Sequence, residues 1–429
     1  MKFIYDFLIL FTETIALPLV GLFSKKLKKF SSGRKTLFKE LTTANLIHQK
    51  IVWFHAASLG EYEQGLPIMQ EILKEYPDYK LLVTFFSPSG YEVKKHNSIA
   101  DYVFYLPLDT PKNAKKFIQL VQPELAVFIK YEIWPNFLTE LKQHQIPSLL
   151  ISGVFRSNQI YFKSYGKFLL NAVKSFNYLF VQNEESLQSL KENKVHNAMV
   201  SGDTRFDRVF LQTKMDNSLS FVQNFKNNLP CIVFGSTWPE GEEYISTYIN
   251  ETSHRVKYII APHQIHSEKI NQLKNNIHKK VILYSEFKDQ HIDLKEYDVL
   301  LLDTIGLLTK VYSEATIAYV GGAIGTTGLH NILEPAVFGA PLIIGNHFEK
   351  FPEAKILQKL EGLTAISNYR EFKNELNTLV QNESFRTKKG QICKDFILSN
   401  TGATNKVMSY ISRENNRKVA CIHKFYIVL

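Results

Sequence analysis

Four short stretches hold residue types able to do chemistry. The first is His55-Ala-Ala-Ser58-Leu-Gly60-Glu61. A carboxylate among small residues can serve as a general base, and Gly60 lets a substrate approach the backbone. Ser58 and Glu61 also have the spacing of a helix capping box, with Ser58 as N-cap and Glu61 three residues on, which accounts for both without any catalysis. The second is Tyr131-Glu132-Ile-Trp134-Pro135-Asn136, a carboxylate and an aromatic that equally suit a helix start with Pro135 in its first turn. The third, Gly235-Ser236-Thr237 with Glu240, Glu242 and Glu243 beyond, suits a phosphate or ribose against the backbone, or a plain strand-to-helix turn. The fourth is Gly321-Gly322-Ala-Ile-Gly325-Thr-Thr-Gly328-Leu-His330-Asn331-Ile-Leu-Glu334-Pro335. A strand, a glycine-rich loop and a helix start form an anion site from free N–H groups and the positive helix end. Its glycines do not follow the dinucleotide-binding fingerprint. Asn331 and Glu334 have capping spacing too, which leaves the other glycines and His330 to a nucleotide phosphate.

These stretches need strands to hold them. Apolar runs at Ile51–Ala57, Leu81–Phe86, Tyr102–Leu106, Leu125–Ile129, Ser148–Ile151, Tyr178–Val181 and Met199–Gly202 alternate with helical patterns. They are apolar throughout rather than alternately, as in parallel strands buried on both faces. A polar stretch rich in Asn, Gln and Lys follows. A second series then runs through Cys231–Phe234, Tyr258–Ala261, Val281–Tyr284, Val299–Leu302, Ile317–Val320 and Leu342–Ile344. The pattern predicts an α/β protein with two Rossmann-like domains facing a cleft, residues 46–209 and 231–412. A segment at 1–45 precedes them, a linker at 210–230 joins them, and a tail at 413–429 has no assigned role.

A chain of 429 residues, 45% hydrophobic and 21% charged, suits two globular domains and excludes a largely disordered one. Its three cysteines, Cys231, Cys393 and Cys421, have neither metal nor redox spacing, which fits a reducing compartment. Of the net charge of +10, more than half lies in the first fifty residues, with eight Lys and one Arg against three acids. The run Lys25, Lys26, Lys28, Lys29, Arg34, Lys35 directly follows the apolar segment Phe3–Phe23, so anionic lipid explains the charge better than nucleic acid does. Lys2, Asp6 and Glu13 fall within about 40° of one another at 100° per residue, a polar stripe on one helix face. With Pro18 as a helix breaker, this predicts an interfacial helix rather than a span or a core helix, and no signal peptide.

In order along the chain, the blocks Trp53–Glu61, Thr84–Gly90, Tyr131–Asn136, Gly202–Asp207, Gly235–Glu243, Ala261–His263 and Val320–Ala354 resemble the bacterial 3-deoxy-D-manno-octulosonic acid (Kdo) transferases of lipopolysaccharide synthesis. The apolar, basic N-terminus is similar to that family's membrane-association segment. The resemblance implies a GT-B fold, Kdo transfer with inversion from CMP-Kdo to a lipid A precursor, and no cofactor or catalytic metal. It implies acceptor binding mainly by the first domain and CMP binding mainly by the second. Glu61 matches the base, Gly322, His330, Asn331 and Glu334 the nucleotide block together with Gly325, and Ser236, Thr237 and His263 further donor-side positions. The expected partners are CMP-Kdo, a lipid A precursor and an anionic membrane surface, on the cytoplasmic side of the inner membrane, with no nucleic acid. The chain departs from the family pattern where Lys130 replaces an acid, Pro262 an Arg, Val154 an Arg and Arg205 a Lys. Lys130, Arg156 and Arg205 are the candidate cations for the donor carboxylate, with Ser58, Gly60 and Glu132 beside the acceptor. The rivals are a nucleotide-sugar epimerase or another glycosyltransferase on the same fold, and a non-catalytic binder of anionic lipid.

Overall fold

The computed structural model describes all residues except 21–24, 291 and 427–429, and, within helices, all side chains except those of 18, 20, 25–27 and 415–426. The chain forms two compact units, Met1–Arg208 with Thr401–Leu429, and Val209–Asn400.

Unit 1 is built on seven strands: β1 (Ile51–Ala56), β2 (Lys80–Phe85), β3 (Tyr102–Tyr105), β4 (Leu125–Ile129), β5 (Ser148–Gly153), β6 (Tyr178–Val181) and β7 (Ala198–Val200). They pair in parallel in the order β3-β2-β1-β4-β5-β6-β7. Side chains alternate across a strand, so β1 sends Trp53 into one core with Phe117, Phe128 and Phe137, and Val52 and Phe54 into the other with Tyr62 and Met69. Helices cover both faces because both faces are apolar.

The last helix, Ala403–Tyr426, belongs to unit 1, whereas the sequence reading carried the second domain on to residue 412. Its Val407, Met408 and Ile411 share one helix face and join the Val52–Phe54 core. The carboxylate of Asp207 fixes its start, accepting the N–H groups of Gly402 and Thr404 and the Thr404 hydroxyl.

Unit 2 has β8 (Cys231–Thr237), β9 (Lys257–Pro262), β10 (Val281–Leu283), β11 (Val299–Leu301), β12 (Ile317–Val320), β13 (Leu342–Gly345) and β14 (Leu363–Ile366), in the order β10-β11-β9-β8-β12-β13-β14. The edge strand β14 is absent from the sequence reading, because Leu-Thr-Ala-Ile is short and broken by a polar residue. The polar stretch 210–230 is not bare linker either. It holds the helix Ser220–Lys226, which buries Val222 and Phe225.

In each sheet the chain turns back once. It leaves β1 toward β2 and β3, then resumes on the other side at β4; it leaves β8 toward β9 and resumes at β12. Ligands of open α/β sheets bind at the carboxyl ends of the strands flanking such a switch point. The four chemistry-bearing stretches lie at the carboxyl ends of β1, β4, β8 and β12.

The N-terminal segment is helical at Lys2–Phe11 and Leu17–Val20, with a π turn at Thr12–Ala16 just before the helix that contains Pro18. Its polar stripe faces unit 1. Lys2 Nζ donates to Asn136 Oδ1 (2.7 Å), the Asn136 amide donates to Asp6 (2.8 Å), the Tyr5 hydroxyl to Asp109 (2.8 Å) and the Asn113 amide to Glu13 (2.7 Å). Phe3, Ile4, Phe7, Leu8, Phe11, Ile15 and Leu19 are exposed, Phe3 by 82%. A water-facing helix has the reverse arrangement. No helix among the described residues is long and apolar enough to cross a membrane.

Candidate functional site

At the switch point of unit 1, Glu61 lies in the first turn of the helix Leu59–Glu75 and reaches back to accept the N–H groups of Ala57 and Ser58. Capping is therefore part of its role. Its acidity is the more telling property. Burial first, then the charge of Glu132, push its carboxyl up to about 7, against the opposing pull of the Ala57 N–H, Lys130 and the Ser58 N–H. A carboxylate that titrates near neutrality has the affinity for a proton that a general base needs.

Glu132 is buried and fixed on two sides. Its Oε2 faces His55 Nε2 at 3.0 Å and accepts from Trp134 Nε1 at 2.9 Å. His55 has no exposed surface, and its Nδ1 lies 2.9 Å from the Thr84 hydroxyl, which also accepts from Trp53 Nε1. A chain of hydrogen bonds thus runs from the sheet interior to the carboxylate beside Glu61. Lys130, the residue after β4, adopts φ +69°, a strained value for a residue with a Cβ and one that concentrates at functional sites. Gly60 is exposed, and a Cβ there would meet nothing within 4 Å, so packing does not demand the glycine. Ser58 is half-buried beside it. Arg156 is exposed in the loop after β5, while Arg205 is held by Asp203, its Nε 2.8 Å from Oδ2. Neither Lys130 nor Arg156 is ion-paired with a carboxylate among the described residues.

At the switch point of unit 2, Ser236 sits in a bulge of β8 with φ +52°. Thr237 is buried, and its hydroxyl donates to Glu242 (2.7 Å). The loop after β12 folds back on itself through Ala323 N–H to Thr327 O (3.0 Å) and His330 N–H to Gly321 O (3.2 Å). Gly322 has φ +87°, and a Cβ there would strike the Gly328 carbonyl at 2.1 Å, so the fold itself requires this glycine. Gly325 and Gly328 have no such backbone neighbour. The N–H groups of Gly325, Thr326, Thr327 and Gly328 have no protein acceptor among the described residues. Successive free N–H groups of this kind form a cradle for an anion.

The helix after the loop corrects one expectation. It is a single turn, Leu333–Ala336, too short to bring much of a dipole to an anion, so the loop N–H groups carry that task. Asn331 and Glu334 are joined directly, the amide donating to Oε1 (3.0 Å), while the Thr309 hydroxyl donates to Oε2 (3.1 Å).

His330 packs at a tilt of 42° against His263 (ring centres 4.4 Å apart), which stacks on Trp238 (4.5 Å). Trp238 Nε1 donates to His330 Nε2 at 3.1 Å. An indole N–H cannot accept, so this Nε2 is unprotonated and the neutral ring carries its hydrogen on Nδ1. Burial and the neighbouring His263 hold the His330 imidazolium down to about 4, and burial lowers His263 as well. Trp238 escaped the sequence reading, although it directly follows Gly235-Ser236-Thr237 and precedes Pro239. Among the described residues no group of three His, Cys, Asp or Glu is placed to hold a metal ion.

The family model described as 3-deoxy-D-manno-octulosonic-acid transferase (kdotransferase) matches residues 28–208. The 3-deoxy-D-manno-octulosonic acid transferase of Rickettsia typhi is 30% identical over 353 residues, 80% of this chain and 75% of that protein. The chain belongs to this transferase family. The Haemophilus influenzae member is 23% identical over 97% of this chain and its own full length, so the likeness extends through both units of this glycosyltransferase. Among solved structures, UDP-GlcNAc 2-epimerase from Neisseria meningitidis bound to UDP-GlcNAc is similar with a TM-score of 0.59 over 85% of this chain and 99% of its own, at 13% identity. At that identity the likeness is one of fold, the two-domain GT-B type. The epimerase rival rests on this fold alone, whereas the sequence relatives are transferases.

Proposed function

We propose that this transferase moves Kdo from CMP-Kdo to a hydroxyl of a lipid A precursor, with inversion and with Glu61 as general base. The observation that carries the reading is a carboxyl group poised near pH 7 at the switch point of unit 1, beside a second carboxylate anchored by His55 and Trp134. The acceptor oxygen bonds to the anomeric carbon and its proton passes to Glu61. The bond from that carbon to the CMP phosphate oxygen breaks, and CMP leaves with the electron pair. A positioned base supplies roughly 10²–10⁴-fold. The free N–H groups between Gly325 and Gly328, with His330 Nδ1–H, support a role in receiving the phosphate charge that grows as CMP departs. Glu334 and Asn331 take the ribose hydroxyls, Ser236, Thr237 and His263 flank the nucleotide, and Lys130 and Arg156 take the acidic sugar's carboxylate. Arg205 is the weaker third candidate, because Asp203 already engages it.

The outward apolar face of the N-terminal helix and the basic run after it support an anionic membrane surface as a partner, on the cytoplasmic side of the inner membrane. The test is CMP release and Kdo-lipid formation from CMP-Kdo and a lipid A precursor by the purified chain. Folded protein that binds CMP yet transfers nothing to the lipid would overturn the reading.

A further inference from the structure

A second feature of unit 1 has no part in the chemistry above. A groove of about 780 Å³ runs between the N-terminal helix and the helix Pro111–Val121. That volume falls in the range of about 300–1,000 Å³ typical of small-molecule sites. Phe3, Phe7, Leu10 and Phe38 supply its apolar lining, and Lys112 and Lys116 stand on its rim. Both lysines are exposed, and neither pairs with a carboxylate among the described residues; Lys116 lies over the Phe38 ring at 4.6 Å. The two acids that line the groove are already engaged, Asp6 by Lys2 and the Asn136 amide and Glu13 by the Asn113 amide.

Hydrocarbon walls with cations at the mouth match an amphiphile with an acyl chain and an anionic head. The groove is also connected to the carboxylates. Arg34, on its wall, lies 5.0 Å from the Phe86 ring; Phe86 packs on Trp134 at 4.9 Å, and Trp134 donates to Glu132. One continuous wall leads from the groove to the pair formed by Glu132 and Glu61.

We propose that this groove holds an acyl chain of the lipid acceptor, with Lys112 and Lys116 on its phosphate; the inference rests on the transferase reading above. The occupant is a phosphorylated acyl lipid, because only such a molecule uses both the apolar lining and the unpaired cations.

The test measures transfer by the full chain in detergent micelles. The acceptors are an acylated lipid A precursor, the same sugar phosphate stripped of its acyl chains, and the dephosphorylated lipid. Phe7 and Leu10 are 59% and 50% exposed, so Phe7→Ser with Leu10→Ser spares the core. This pair lowers the kcat/KM preference for the acylated over the stripped acceptor about tenfold. Lys112→Ala with Lys116→Ala lowers the preference for phosphorylated over dephosphorylated lipid several-fold. Ile4→Ser with Leu8→Ser, on the exposed face but outside the groove, removes surface contact alone and lowers the acyl preference clearly less than the groove pair does. An equal loss in that control assigns the effect to general surface contact and overturns the groove, as does an unchanged preference in the groove variants. A parent dimer that the Phe7 and Leu10 changes dissociate makes a second copy the occupant and overturns it too. A parent that transfers to none of the acceptors overturns the transferase reading, and the groove falls with it.

Discussion

The two switch points occupy the same place in two similarly built sheets, yet their chemistry is opposite. At β1 and β4 the chain gathers Glu61, Glu132 and His55, and burial of the Glu61 carboxylate raises its proton affinity. At β8 and β12 it gathers free N–H groups and two imidazoles kept neutral, and burial there lowers proton affinity. One region is prepared to accept a proton and the other to donate hydrogen bonds to an anion. The topology therefore provides only an address, and the residues at the strand ends decide what happens there. Burial has contrary effects because it disfavours whichever form is charged, the carboxylate in one case and the imidazolium in the other.

The sharpest way to break this contrast is Glu61→Gln. Glutamine keeps an oxygen for the Ala57 and Ser58 N–H groups but cannot take the acceptor's proton at neutral pH. Transfer is expected to fall about 10²-fold or more, with CMP affinity near that of the parent. In the parent, kcat should fall as pH drops below about 7, because the base is then protonated. A Gln variant that transfers at close to the parent rate would leave Glu61 as a cap alone and move attention to Glu132.

The donor side is tested next by Glu334→Gln. The carboxylate now accepts from Asn331 and Thr309, and a ribose hydroxyl is expected to add to them. Loss of a charge-assisted hydrogen bond costs about 1.5–3 kcal/mol, so CMP should bind roughly 10- to 100-fold more weakly by calorimetry. Unchanged affinity would restrict Glu334 to holding the loop.

Stability gives a third, smaller reading of the same contrast. The Glu61 carboxyl is raised in the folded state, so the folded chain binds this proton more tightly than the unfolded one. Its stabilising contribution is complete below the ordinary carboxylate range and is lost as pH rises through about 7. Glu61→Gln should thus be as stable as the parent near pH 4 and more stable near pH 8, by about 1–3 kcal/mol. A variant less stable than the parent at pH 8 would mean that capping outweighs the cost of burying the charge.

Much of this was legible in the sequence. Continuous apolar runs mark thirteen of the strands, and the strand-end position of Glu61 and of the glycine loop follows from them. Neighbours distant in the chain were not legible, because local pattern carries no strand order. His55 and Glu132 lie 77 residues apart, and Trp238 and His330 lie 92 apart; both pairs meet only because β1 adjoins β4 and β8 adjoins β12. The polar stripe Lys2, Asp6 and Glu13 was visible, but not that Asn136 and Asn113 would turn it inward. The length of the helix after the glycine loop was also hidden. Gly339, at φ +80°, follows soon after that single turn, and nothing nearby in the sequence marks Ala336 as its end.

The finest test concerns a residue that the sequence reading passed over. If Trp238 fixes the His330 tautomer, Trp238→Phe removes the N–H donor while keeping a ring to stack on His263. His330 Nε2 then lies half-buried without this donor, and either ring nitrogen can hold the hydrogen. A lone pair no longer engaged by the indole accepts a proton more readily, so the His330 pKa should rise somewhat above about 4, with burial and His263 still holding it below the ordinary histidine value. CMP affinity should fall about two- to tenfold, the worth of one neutral hydrogen bond of roughly 0.5–1.5 kcal/mol. Nitrogen chemical shifts of the labelled ring separate this from a loss of packing. The parent should show a protonated Nδ1 and an unprotonated Nε2 throughout pH 5–8, and the variant a mixture of the two neutral tautomers. A parent ring that already titrates near pH 6.5 would remove Trp238 from any such role, and with it the picture of a donor loop built from neutral imidazoles.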